Sequence, residues 1–457
     1  MRKITVLLGF AALAFAQEAQ QKQEPPAGGT PKPFNVPATQ ATTLGNGLRV
    51  TLAPYGNMPM ATVNAVIRAG NLNEAAKQVN LADVLGDLLK EGAAGRNAEA
   101  LAQEAARMGG QLSVNVGPDQ TQVSIDVLSE FAPDAVRLIA DVLQRPDLPE
   151  SELPRLKKNL LRTIAVARSE AQALADEAFR KALYGDHPYG RTFATEEMVG
   201  AWTIDDVRAF YKANFGAART HVYVSGKFDP AVLKAVTEAF AKWERGPDPL
   251  INVPKPEPKP TVVLIDRPDA PQSTLRIGLP TLDPKNPDYI PMVVTNALLG
   301  GSFASRITQN IREQKGYTYS PFSQLSVRYR DGYWAENADV TTAVTGPAIQ
   351  EILGEIKRLR QEAPPAPELK GIQNYLAGTF VLQNSSPRGI IGQLAFVNLH
   401  DLGSEYLKTY VQRVHGVTGA EVQRVTEKYL DPDKMTLVVV GDKAKIADQV
   451  AQFDKKK

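Results

Sequence analysis

Residues 203–215, TIDDVRAFYKANF, are followed by residues 221–226, HVYVSG. Residues 418–430, TGAEVQRVTEKYL, are followed in the same way by residues 435–441, MTLVVVG. In both copies a Thr precedes a stretch of amphipathic helical spacing, and a short β-branched strand then ends in Gly. The Thr-to-Gly and Val-to-Gly spacings agree between the copies, which predicts an internal duplication. Working outward, residues 48–53 and 61–69 alternate like strands, and residues 79–91 and 98–108 have helical spacing. Residues 111–116 and 120–128 read as a hairpin around Gly117-Pro118-Asp119. Residues 323–330 and 333–340 read as a second hairpin around Asp331-Gly332. Hairpin-joined strands with grouped helices predict an α+β fold of two tandem homologous domains, each a mostly antiparallel sheet covered by helices.

The boundaries follow from composition. Arg2 and Lys3 precede an apolar run over residues 4–15, and Ala14-Phe15-Ala16 fits a small-x-small cleavage site, so residues 1–16 read as a secretory signal. An uncleaved anchor is the alternative. Residues 17–39, rich in Gln, Pro, Gly and Lys, bury too little apolar surface to fold and read as a tether. Residues 246–260 hold six prolines and read as an extended linker between a first segment, 40–245, and a second, 261–452. A periplasmic or secreted chain without cysteine must be held by its core, and 43% hydrophobic residues over 457 positions allow large cores. The net charge of +2 is spread along the chain, so no nucleic-acid footprint is present. No stretch after the signal is apolar for long enough to predict a membrane span.

One stretch stands out chemically: residues 298–320, LLGGSFASRITQNIREQKGYTYS. Ser302 after Gly300-Gly301 is a good N-cap, and Phe303, Ile307 and Ile311 fall on one helical face. Arg312 sits in the last turn before Gly316, and Tyr317 and Tyr319, two apart, share a strand face. A guanidinium and a phenol brought together this way can grip a carbonyl or carboxylate, or stabilise a developing oxyanion. Spacing alone also fits an ordinary helix-end arginine beside half-buried tyrosines.

Taken with NGLRV (46–50), IRAG (67–70) and LYGDHPYGR (183–191), this stretch resembles the insulinase/pitrilysin-type metallopeptidase family, in its bacterial and processing-peptidase branch. The resemblance runs from about residue 44 to residue 441. It implies two related α+β domains facing each other across a peptide-binding chamber. Active members carry H-x-x-E-H on a helix after the IRAG-like strand, two histidines for zinc and a glutamate as general base, with a later helical glutamate as third ligand. Here LADVLGDLLKEG (81–92) puts Asp83 and Asp87 at the histidine positions and Gly86 at the base position. Thr163 stands at the later ligand position. Where active relatives often have an Asn-Ala pair lining substrate, this chain has Ser113-Val114. Arg312 and Tyr319 match the family's arginine and tyrosine, with Tyr317 beside them.

The resemblance therefore implies a zinc-free, non-catalytic subunit that is not active alone. It would bring Arg312 and Tyr319 to a homologous partner carrying H-x-x-E-H and zinc, with a peptide as substrate. Two other readings stand beside it: a peptide-binding or structural scaffold with no part in proteolysis, and an independent metal hydrolase using Asp83 and Asp87. His187, His221, His400 and His415 offer no ligand-pair spacing, and no nucleophile elbow or phosphate loop is present.

Overall fold

A computed structural model describes residues 35–454. The expected signal and most of the expected tether lie outside the described residues. The last stretch of that tether, 35–39, has no regular structure, but Val36 packs against the core of the second half.

The first half contributes β1 (Gln40–Thr43), β2 (Arg49–Pro54) and β3 (Met60–Ile67), and a two-rung ladder of β4 (Gly92–Ala93) and β5 (Arg96–Asn97). Then come β6 (Ser113–Val116), β7 (Thr121–Leu128) and β8 (Thr220–Gly226). The second half contributes β9 (Thr261–Asp266), β10 (Gln272–Pro280), β11 (Phe322–Arg328), β12 (Asp331–Thr341) and β13 (Thr436–Gly441). The first sheet runs β1-β2-β8-β3-β7-β6 and the second runs β11-β12-β10-β13-β9. Read from the other edge and without β1, the two are the same. β2 pairs parallel with β8 as β9 does with β13, and every later pair is antiparallel. The duplicated Thr has one job in both halves. Thr203 and Thr418 close capping boxes with Asp206 and Glu421 and start the helices Ile204–Asn214 and Gly419–Tyr429.

The central strands do not alternate as expected. β3 is buried at all but its first residue, and β8 and β13 are buried throughout. The cause is an exchange of helices that spacing does not reveal. The helix Ala132–Gln144 covers β3 and β7 from within the first half, while Pro387–Leu399, from the second half, covers β3 and β8. In return Ala171–Tyr184, from the first half, covers β10 and β13. Phe179 and Leu183 pack with Tyr333, Val438 and Val440, and Ile391 and Ala395 pack with Val66 and Tyr223. The halves thus form one compact unit rather than two loosely tethered domains.

Two local expectations change. The second hairpin turns at Tyr329-Arg330, with Arg330 at φ 58°, because Arg328 pairs with Asp331. Asp331 and Gly332 are instead strand residues. Asp331 accepts the Tyr184 hydroxyl at 2.6 Å from the other half, and Gly332 lets the Leu282 carbonyl come closer than a side chain would allow. The 246–260 linker has no regular structure but is pinned to the first half. Arg219 Nε donates to the Pro247 carbonyl (3.0 Å), and the His187 ring meets the Asn252 carbonyl (3.2 Å).

Candidate functional site

The helix Leu81–Leu88 carries the first set of expected positions. Asp83, Asp87 and Thr163 do converge: together with Asn80, Asn159 and Thr192 they line one pocket of about 280 Å³. Asp83 is largely buried, and Oδ2 accepts from the side-chain amides of Asn71 (3.0 Å) and Asn80 (3.2 Å). Burial raises its pKa, while the two amides pull it back. Asp87 is exposed and paired with Lys90 at 2.9 Å. Gly86 faces the sheet: a Cβ there would meet Val116 Cγ2 at 2.7 Å, with Val114 close behind. The edge strand β6 therefore fills the space that a glutamate at this position would need. Among the described residues no group of three His, Asp or Glu side chains is placed to hold a metal ion. One carboxylate taken up by two amides and one paired with lysine do not fit a zinc centre, which needs free ligands and a third donor.

Glu74, which spacing did not single out, organises this helix start. Its carboxylate accepts the Ala82 N–H and the Asn80 N–H, both at 3.0 Å, and the Asn71 amide at 3.1 Å. Burial pushes its pKa up to about 8 against the pull of these donors. No S/T-x-x-E signature marks it, because the acid reaches forward to the helix from outside.

The second set stands in a cleft of about 500 Å³ between the end of the helix Tyr289–Leu299 and the start of β11. The backbone differs from the expected capped helix. Ser302 Oγ donates back to the Ala297 carbonyl (2.9 Å), so it closes the preceding helix. The next helix begins at Arg306 and continues as a π-helix over Thr308–Gln314. Such turns are rare and recur at functional sites. This one is held from outside: Arg306 makes two bonds to Glu368 (2.7 and 2.8 Å), and Asn310 reaches Glu351 (2.9 Å) and Glu355 (2.8 Å).

Phe303 is 66% exposed, not on the core face with Ile307 and Ile311, and its ring lies 4.5 Å from the Arg312 guanidinium carbon. The Tyr319 ring, on a side chain 79% exposed, lies 5.1 Å from the same carbon. The structure thus brings Arg312 and Tyr319 together and adds Phe303. Tyr317 does not join them. It packs against the second-half core, while the chain bends before β11 and turns Tyr319 outward. Tyr317 and Tyr319 therefore do not share a strand face. Tyr375, from the helix Ala366–Gln383, and Phe322 complete the aromatic lining.

Behind the cleft wall Glu336 is fully buried, and neither carboxylate oxygen has a partner. It shares its strand face with Trp334 and Ala338, so an acid in an apolar period-2 row was a signal available in the sequence. Gly300 has no room for a side chain because Glu336 and Ser323 stand against it. The histidines form no site. His221, for example, is buried between Thr51 Oγ1 (2.8 Å) and the Tyr223 hydroxyl (3.0 Å), and burial lowers its pKa to about 3.

Comparison with known proteins agrees with the duplicated fold. Residues 49–197 match a model described as insulinase (peptidase family M16), and residues 201–376 match one described as the peptidase M16 inactive domain. An uncharacterized zinc protease of Bacillus subtilis is 25% identical over 75% of this chain and 84% of its own length. A probable mitochondrial-processing peptidase subunit beta of Schizosaccharomyces pombe is 25% identical over 65% of this chain and 68% of its own. Among solved structures, a Pseudomonas fluorescens peptidase M16 inactive domain superposes with a TM-score of 0.81 at 23% identity, covering 88% of this chain and 98% of that one. A Helicobacter pylori protease gives 0.82 at 18% identity, covering 89% and 100%. Two family models in succession, over a fold built twice, place the chain: it belongs to the insulinase family of metallopeptidase-like proteins.

Proposed function

We propose that this chain is the zinc-free subunit of an exported, two-chain zinc metallopeptidase, acting in the periplasm or outside the cell. A homologous partner with H-x-x-E-H supplies the metal and the general base. This chain supplies Arg312 and Tyr319, which meet the peptide substrate and the charge that develops on it. The observation that carries the reading is the unequal state of the two half-sites. At Gly86 the edge strand occupies the place of the general base, while Arg312 is held in an open cleft beside an exposed tyrosine. Donors positioned there, a guanidinium and a phenol, can share the grip on the substrate and on a developing oxyanion without reorganising.

The test is peptidase activity of the purified chain alone, of a homologous H-x-x-E-H chain from the same cell alone, and of their mixture. Activity is expected from the mixture, and Arg312→Ala or Tyr319→Phe should lower it by roughly 10- to 1000-fold. Unchanged activity in both variants would sink the reading and leave a scaffold.

A further inference from the structure

We infer that the Arg312 cleft binds the C-terminal carboxylate of a short peptide whose last residue is apolar or aromatic. The inference rests on the reading that Arg312 meets substrate and narrows it: Arg312 holds the chain end, and the Tyr319 hydroxyl is left to face the scissile carbonyl.

Three features of the cleft point to this ligand. The first is the state of the guanidinium. Its contacts to Phe303 and Tyr319 are cation–π contacts, which use none of its five N–H donors. The ion pair it makes is with its chain neighbour Glu313, at 3.4 Å, whose side chain is itself 45% exposed. A planar fork held against rings, with no hydrogen bond spent inside the chain, matches a carboxylate in two-point fashion and a single carbonyl only in part. The second is charge. Arg312 is the one charged residue lining the cleft, and its exposed ion-pair partner Glu313 lies outside the lining. Glu336 stands behind Gly300, where burial raises its pKa well above the usual carboxylate range and so favours the neutral form. The third is the lining. Phe303, Tyr319, Phe322 and Tyr375 all expose large ring area into one cleft beside the glycine pair Gly300-Gly301. A side chain attached to the bound carboxylate lies among these rings, where burial of an apolar or aromatic group is favourable. A phosphate or a free amino acid would use the guanidinium but not the length of the aromatic wall.

The experiment is fluorescence anisotropy of the purified chain with a labelled hexapeptide ending in phenylalanine, compared with the same peptide as its C-terminal amide. The acid is expected to bind roughly tenfold or more tightly than the amide, with a preference that shrinks as salt rises. Arg312→Gln should remove the preference, and Arg312→Lys, which keeps the charge but not the fork, should keep only a small part of it. Phe303→Ser should weaken the acid peptide ending in phenylalanine more than one ending in glycine. Thermal midpoints near wild type confirm that the variants fold. Equal binding of acid and amide overturns the carboxylate inference while leaving the two-chain reading to its own activity test. So does a preference that survives Arg312→Gln, or absence of binding by either peptide.

Discussion

The two halves share one fold, and the clefts at their two sets of expected site residues hold their charged groups in different ways. In the first half the three acids at the helix Leu81–Leu88 have found partners inside the chain. Asp83 takes two amides, Asp87 takes Lys90, and Glu74 ties the helix start. In the second half the ionisable groups at and behind the cleft spend no hydrogen bond inside the chain. Arg312 has only the long ion pair with Glu313, Tyr319 is exposed, and Glu336 is buried without a partner. A site that has lost its chemistry relaxes into internal pairing, because unmet polar groups cost free energy. On the proposed reading, the second site keeps donors unmet for a ligand.

That contrast can be broken where it is strongest. Gly86→Glu should destabilise the chain by more than about 3 kcal/mol, since the side chain must displace Val116 and place a carboxylate under β6. Combining it with Asp83→His and Asp87→His should not produce stoichiometric zinc by metal analysis, and adding Val116→Ala should recover part of the lost stability. A tolerated Gly86→Glu would show that the first site is less closed than described.

A second effect follows from Glu74. Its folded pKa, about 8, lies above the ordinary value of 4.5, so the folded chain holds the proton more tightly than the unfolded one. Its contribution is therefore fully present below about pH 4.5, falls as pH rises, and is gone above about 8. Glu74→Gln should lower stability at acid pH and flatten this slope, as read from thermal midpoints at pH 5 and pH 8. An unchanged slope would show that the three donors keep Glu74 ionised.

Smaller effects sharpen the comparison. Glu336→Leu should raise stability by about 1 kcal/mol in urea unfolding, because the acid it removes satisfies nothing. A loss of more than about 2 kcal/mol would reveal a partner. Asp87→Asn should change stability by less than about 0.5 kcal/mol, as expected for an exposed pair with lysine.

Much of this was legible in the residues. The repeated Thr, helix and strand announced the duplication, because capping boxes and buried strands are local and leave marks in sequence. The conjunction of Arg312 and Tyr319 was also legible. What could not be read is what depends on distant partners. The exchanged helices Ala171–Tyr184 and Pro387–Leu399 look like any amphipathic helix until the opposite sheet is present. LYGDHPYGR reads as a motif without a job until Tyr184 meets Asp331 and Tyr189 meets Asp119. Phe303 fitted the helical period and was placed with the core. The actual helix starts three residues later and turns with a wider π repeat, so that period did not apply. The glycine at 86 showed that a base was missing, but only β6 shows that its space is filled.

The most direct test of the division between the halves is a paired comparison in the mixture with a homologous H-x-x-E-H chain. Peptidase activity is measured with Arg312→Ala and, separately, with Asp83→Asn plus Asp87→Asn. The account predicts a loss of roughly 100-fold for the first and activity within about twofold of wild type for the second. The reverse pattern, with the aspartates required and Arg312 dispensable, would contradict it.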